Sequence, residues 1–139
     1  MNIEERVKKA YDLHHMGNNC AQEVLGDYVD LFDLEMDQAM TIAYGFGGGV
    51  GMTREICGTL TGGAMALGLK YGKGEADVKQ KKFVNEKVSA LCKEFEASHG
   101  SVICGELLGI RKTDKEVNRA TCDDLIEEVV RLLEKYLID

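Results

Sequence analysis

The apolar residues of this chain return every three or four positions from end to end, and no proline interrupts them. That period marks amphipathic helices, and no stretch shows the alternation that a half-buried strand requires. Breaks are left to glycine, as expected where proline is absent. The pattern predicts an all-α fold, a compact bundle of about six or seven helices.

Ile3, Val7, Ala10, Tyr11 and His14 share one face of a first helix, which Gly17 stops. A second runs from about Cys20 to Phe32 with Val24, Leu25, Tyr28 and Leu31 turned inward. A third, from about Met36, carries Ala39, Met40, Ala43 and Phe46 and ends in glycines. The fourth opens near Cys57 and reaches about Tyr71. The fifth spans about Glu75 to Ser98, with Phe83, Val84, Val88, Leu91 and Phe95 on one stripe. A short piece follows Ser101, and a last helix from Thr121 to about Leu137 repeats Leu125, Val129, Leu133 and Tyr136. At 139 residues the chain reads as one domain, 1–139, large enough to bury a core without disulfide staples.

Eleven of the 16 glycines lie between Gly45 and Gly74, so the unusual backbone is concentrated around Cys57. The run Gly45-Phe-Gly47-Gly48-Gly49-Val-Gly51 invites comparison with a phosphate loop, but a helix precedes it and no Lys-Ser or Lys-Thr pair follows. A helix-to-helix turn with positive-φ residues is the expectation. Close backbone approach to a sulfur-bound cofactor, by Gly47, Gly48, Gly49 and Gly58, stays open. Gly58, Gly62 and Ala66 are spaced by four and line one helix face. A helical glycine costs about 1 kcal/mol relative to alanine, and close packing of a second helix is the usual compensation. Such packing would bring that helix's first turn, with its cysteine, near Cys57.

Four of the five cysteines fall where a helix begins. Cys20 follows Asn18 and Asn19, Cys57 follows the glycine run, Cys104 lies three residues after Ser101, and Cys122 follows Thr121. Asn, Ser and Thr cap helix N-termini, and the first turn favours a thiolate over a thiol. No two cysteines form a C-x-x-C pair, which removes the signatures of zinc ribbons, thioredoxin-type pairs and c-type haem attachment. Cys92 sits mid-helix beside Leu91, in the manner of a small core hydrophobe. His14, His15 and His99 are scattered and lack a spacing of three or four to a partner, so surface or packing roles are expected of them.

A net charge of −7 argues against a general nucleic-acid surface. The one basic stretch, Lys70 to Lys87, reads as a solvated helix face. The acidic N-terminus lacks the apolar core of a signal peptide, and no run approaches the roughly 18 apolar residues of a membrane span. The expected location is the cytoplasm, where cysteines are reduced, metal-bound or transiently oxidised. Neither nucleic acid nor membrane is expected as a partner; a redox partner is, and a homo-oligomer is left open.

These residues resemble a known family, the bacterial and archaeal redox-active proteins labelled by the pattern C_GCAxxG_C_C. Asn19-Cys20-Ala21-Gln22 matches its first cysteine. The glycine run leading to Cys57-Gly58-Thr59-Leu60-Thr61-Gly62 matches its central element. Cys104-Gly-Glu-Leu-Leu-Gly109 and Cys122 match the last two. Thr59 departs from it, standing where the family usually has alanine, and Cys92 has no counterpart. The resemblance implies redox or cofactor chemistry without defining a substrate.

Two functions follow as expectations. In one, Cys20, Cys57, Cys104 and Cys122 converge and two of them, Cys57 included, cycle between dithiol and disulfide as a thiol oxidoreductase. In the other, the same four thiolates ligate an iron–sulfur cluster or another soft metal. A structural module with incidental thiols is the third alternative.

Overall fold

The computed structural model describes residues 1–138. Among them seven α-helices carry the chain: α1 (Ile3–His15), α2 (Cys20–Tyr28), α3 (Met36–Ala43), α4 (Gly58–Tyr71), α5 (Val78–His99), α6 (Cys104–Leu107) and α7 (Cys122–Leu137). No strand occurs among the described residues; an isolated antiparallel bridge joins Ile56 to Ile103. The fold is compact and all-α.

Helix ends follow the capping chemistry. The Asn19 side chain accepts from the Gln22 amide while Gln22 reaches back to the Asn19 amide, and Thr121 and Asp124 repeat that box at α7. Gly17, at φ +95°, turns the chain between α1 and α2.

Several apolar assignments differ. In α1 the buried row is Arg6, Ala10 and Leu13, and Tyr11 is half exposed. Arg6 takes the inward position because its guanidinium stacks 4.5 Å from the Tyr28 ring centre and forks onto Asp30 at 2.5 and 2.9 Å. α2 stops at Tyr28 and tightens into a 3₁₀ turn, Val29–Leu31, which swings Leu31 outward. α5 starts at Val78, because Asp77 caps it, rather than at Glu75. Phe83 lies near that open end, partly exposed and edge-on to Tyr71 at 5.3 Å.

α4 is the central element, packed against α2, α5 and α7. Its small face allows the approach of α2: a Cβ on Gly58 would stand 3.1 Å from the Cys20 Cβ, and one on Gly62 only 2.7 Å from the Ala21 carbonyl oxygen. The glycines therefore seat the first turn of α2 directly on the start of α4. Gly62→Ala gains about 1 kcal/mol of helix propensity, but overpacking costs about 1–3 kcal/mol. A net loss of about 1 kcal/mol is expected, read as a melting temperature lowered by a few degrees. A raised melting temperature would refute the close approach.

Candidate functional site

The segment between α3 and α4 determines the site. Gly48, Gly49, Val50, Gly51 and Met52 all have φ between +58° and +71°, and Arg54 follows at +64°. This is a left-handed turn, closed by Met52 N–H to Gly47 O at 3.0 Å, Arg54 N–H to Gly48 O at 2.9 Å and Glu55 N–H to Gly49 O at 2.9 Å. A Cβ on Gly49 would stand 2.6 Å from the Glu55 amide nitrogen, so no side chain fits there. Val50, Met52 and Arg54 hold a backbone region that costs L-residues roughly 1–2 kcal/mol each.

The turn hands the chain to the bridge at Ile56. Cys57 N–H donates to Val102 O at 2.8 Å, Cys104 N–H to Glu55 O at 2.6 Å, and Gly105 N–H to Arg54 O at 3.0 Å. These bonds tie the start of α4 to the start of α6, and so Cys57 to Cys104. Asn19 performs the same service for α2: its Nδ2 donates to Tyr44 O at 3.0 Å while its Oδ1 caps the helix.

A cavity of about 210 Å³ results, and Cys20, Cys57, Cys104 and Cys122 all contribute to its lining. Gly48, Gly49 and Gly58 do so as well, beside His14, Met52 and Arg54. Gly47 does not; it backs onto Asn19, whose Cβ would lie 2.7 Å from a Cβ there. Cys92 lies outside the lining, half-buried on α5.

All five cysteines are free thiols, in different settings. Cys20 and Cys122 are each the first residue of their helix, as capping predicts. They sit side by side: Cys20 donates toward Cys122 and its own thiol is pushed up, chiefly by that bond and then by burial. Cys122 is brought down to about 6, first by the Cys20 hydrogen bond, against burial, and with help from the charges of His14 and Arg54. Cys57 is not in a first turn but is the N-cap of α4, 4% exposed, with burial pushing its thiol up. Its sulfur lies 3.0 Å from Thr59 Oγ1, within hydrogen-bond reach of that hydroxyl. Cys104 opens α6, but Ser101 does not cap it; the Ser101 hydroxyl accepts from Ile103 N–H and donates to Glu106 at 2.6 Å. The Cys104 sulfur accepts from Arg54 Nη1 at 3.8 Å.

His14 departs from the packing role expected of it. Its Nδ1 lies 2.6 Å from Glu23 Oε1, and its Nε2 is 3.4 Å from Oδ1 of Asp123, the residue after Cys122. Glu23 is fully buried one turn past Cys20, and its second oxygen has no partner. Burial pushes that carboxyl up to about 7, against the pull of His14. The imidazole is itself raised, chiefly by its bond to Glu23. Near neutral pH the pair thus holds an exchangeable proton on the wall of the cavity. Sequence spacing missed it because the partners lie on different helices across the Gly17 turn. His15 stacks on Tyr11, and His99 bonds Glu128, both away from the cavity.

Among the described residues no three His, Cys, Asp or Glu side chains are grouped to hold a metal ion. The thiols divide instead into a Cys20–Cys122 pair, Cys57 on Thr59, and Cys104 on Arg54. No described helix is long and apolar enough to cross a membrane.

No curated protein and no solved structure matches the chain. A family model does, over residues 18–136, a span that takes in all four cysteines of the cavity. The chain belongs to the family described as "Putative redox-active protein (C_GCAxxG_C_C)".

Proposed function

We propose that this protein is a thiol–disulfide oxidoreductase whose exchanging pair is Cys122 and Cys20. The observation that carries the reading is the placement of these two free thiols side by side on the cavity wall, each at the start of its own helix. Cys122 is the attacking group, because its thiol is the one brought down to about 6. Cys57 is a poorer candidate than its sequence setting suggests, because it is buried and its thiol is pushed up.

The Cys122 thiolate attacks one sulfur of a substrate disulfide R–S–S–R′, forming Cys122–S–S–R and releasing R′S⁻. The His14 imidazolium gives that thiolate its proton, and the neutral imidazole takes the proton of Cys20. Cys20 then attacks the Cys122 sulfur and expels RS⁻, which is protonated in turn. Two electrons pass from the cysteine pair to the substrate, which leaves as two thiols. A dithiol donor reverses the exchange and restores the pair.

Treating the reduced protein with glutathione disulfide and mapping the products by mass spectrometry tests the pairing. A Cys20–Cys122 disulfide is expected; a bond between Cys57 and Cys104, or none, would remove the assignment. The proton role has its own readout in the pH dependence of Cys122 alkylation by iodoacetamide. His14→Gln should raise the midpoint by a few tenths to one unit, since a cation near the thiolate is lost. An unchanged midpoint would detach His14 from the thiol pair.

A further inference from the structure

Arg54 is the one guanidinium in the cavity lining, and its pairing is incomplete. Its side-chain bond goes to the Cys104 sulfur at 3.8 Å, a long contact to a weak acceptor. The adjacent acid, Glu55, is taken by Arg111 at 3.0 Å. Among the described residues no carboxylate lies within ion-pair distance of Arg54. The backbone that presents it is held at φ +64° by the Arg54 N–H to Gly48 O bond and by the acceptance of Gly105 N–H. A fork of donors fixed in a small, largely apolar recess matches a carboxylate, which it binds through two parallel hydrogen bonds.

The other charges facing the recess are accounted for. Glu23 is paired with His14 from beneath, and Asp123 faces the same imidazole from α7. The Cys122 thiolate draws on the charge of Arg54, but among the described residues no carboxylate occupies the guanidinium fork, whose donors are left for a ligand. The cavity, about 210 Å³, is smaller than the roughly 300–1,000 Å³ of pockets that enclose drug-sized molecules. It has room for one arm of a small disulfide.

We propose that the substrate is a low-molecular-weight disulfide bearing a carboxylate, with Arg54 holding that carboxylate while the arm's sulfur meets Cys122. This rests on the exchange reading above and adds the substrate class to it. The step is the one already written, with R a short carboxylate-bearing chain: its S–S bond breaks, the Cys20–Cys122 bond forms, and two carboxylate thiols leave.

The test is single-turnover reduction, by the reduced full chain, of three disulfides that differ in charge: dithiodiglycolate, hydroxyethyl disulfide and cystamine. Each rate is divided by that of mercaptoethanol with the same disulfide, to remove intrinsic reactivity. The wild-type ratio of anionic to cationic substrate should be about tenfold or more and should fall with added salt. In Arg54→Gln it should drop toward one, and Arg54→Lys should recover part of it. Because the ratio is taken within one variant, a changed Cys122 thiolate fraction cancels. A ratio unmoved by Arg54→Gln and by Arg54→Lys overturns the substrate assignment and leaves the exchange reading standing. Failure of all three disulfides to react, with no Cys20–Cys122 bond formed, overturns both.

Discussion

Cys122→Ser is expected to lower the rate of disulfide reduction by about a thousandfold or more, whereas Cys92→Ala leaves it within about a few fold. Serine keeps the size and the first-turn position in α7, but at neutral pH its hydroxyl supplies no appreciable anion and forms no disulfide. Cys92 differs in every respect that matters. It is half-buried on α5, packed against the core outside the cavity, and its thiol is pushed up by burial. Truncation there removes one sulfur from a partly solvated contact, at a cost of about 1 kcal/mol. Measuring thiol release from a small disulfide with both variants, and with Cys57→Ala, separates the assignments. Cys57 is a buried part of the same lining with its thiol pushed up, so its loss should slow turnover without abolishing it. Equal collapse in Cys57→Ala and Cys122→Ser would move the exchanging pair back to Cys57.

The helical class and most helix ends were legible in the sequence because both depend on local chemistry. Asn19-x-x-Gln22 and Thr121-x-x-Asp124 are capping boxes that need no tertiary partner, and they place Cys20 and Cys122 at first turns in the structure. The Gly58 and Gly62 face was legible for the same reason, as a propensity cost that implies a close neighbour. The sequence could not rank the thiols. A first-turn position says nothing about burial, which pushes Cys20, Cys57 and Cys122 all upward, or about the hydrogen bond between Cys20 and Cys122 that sets those two thiols apart. His14, Glu23 and Arg54 were illegible because each acquires its role from a different element. The His14–Glu23 contact crosses the α1–α2 turn, and Arg54 reaches Cys104 across 50 positions of sequence.

Arg6 and Asp27 show the same limit in the core, and they lead to a pH dependence opposite to ordinary acid denaturation. Asp27 is fully buried on α2, and neither of its carboxyl oxygens has a partner. Arg6 and Lys9 of α1 donate to its backbone carbonyl instead, at 2.6 and 3.0 Å. Burial pushes the carboxyl up to about 7, against the pull of Arg6 and Lys9 and with the charges of Asp30 and Glu134 adding to the rise. A carboxyl raised in the folded state binds its proton more tightly there than in the unfolded chain, so stability falls as pH climbs from about 4 through 7. Glu23, raised to about 7 by burial, acts in the same sense. So does His14, since a raised imidazole stabilises the fold while protonated and loses that contribution as pH rises through its folded value. The surface acids Asp30, Glu94 and Asp77 are lowered by their cationic partners and act only below about pH 4.5, where protonation removes those pairs. Stability should therefore peak between about pH 4 and 4.5 and decline by a few kcal/mol toward pH 8. Thermal melts at pH 5 and pH 7.5 read this directly, with the higher midpoint expected at pH 5. Asp27→Asn keeps the shape and removes the ionisation, so it should raise the melting temperature most at pH 7.5 and flatten the profile. A wild-type midpoint that rises from pH 5 to pH 7.5, or an Asp27→Asn profile parallel to wild type, would show that Asp27 is ionised in the fold without penalty.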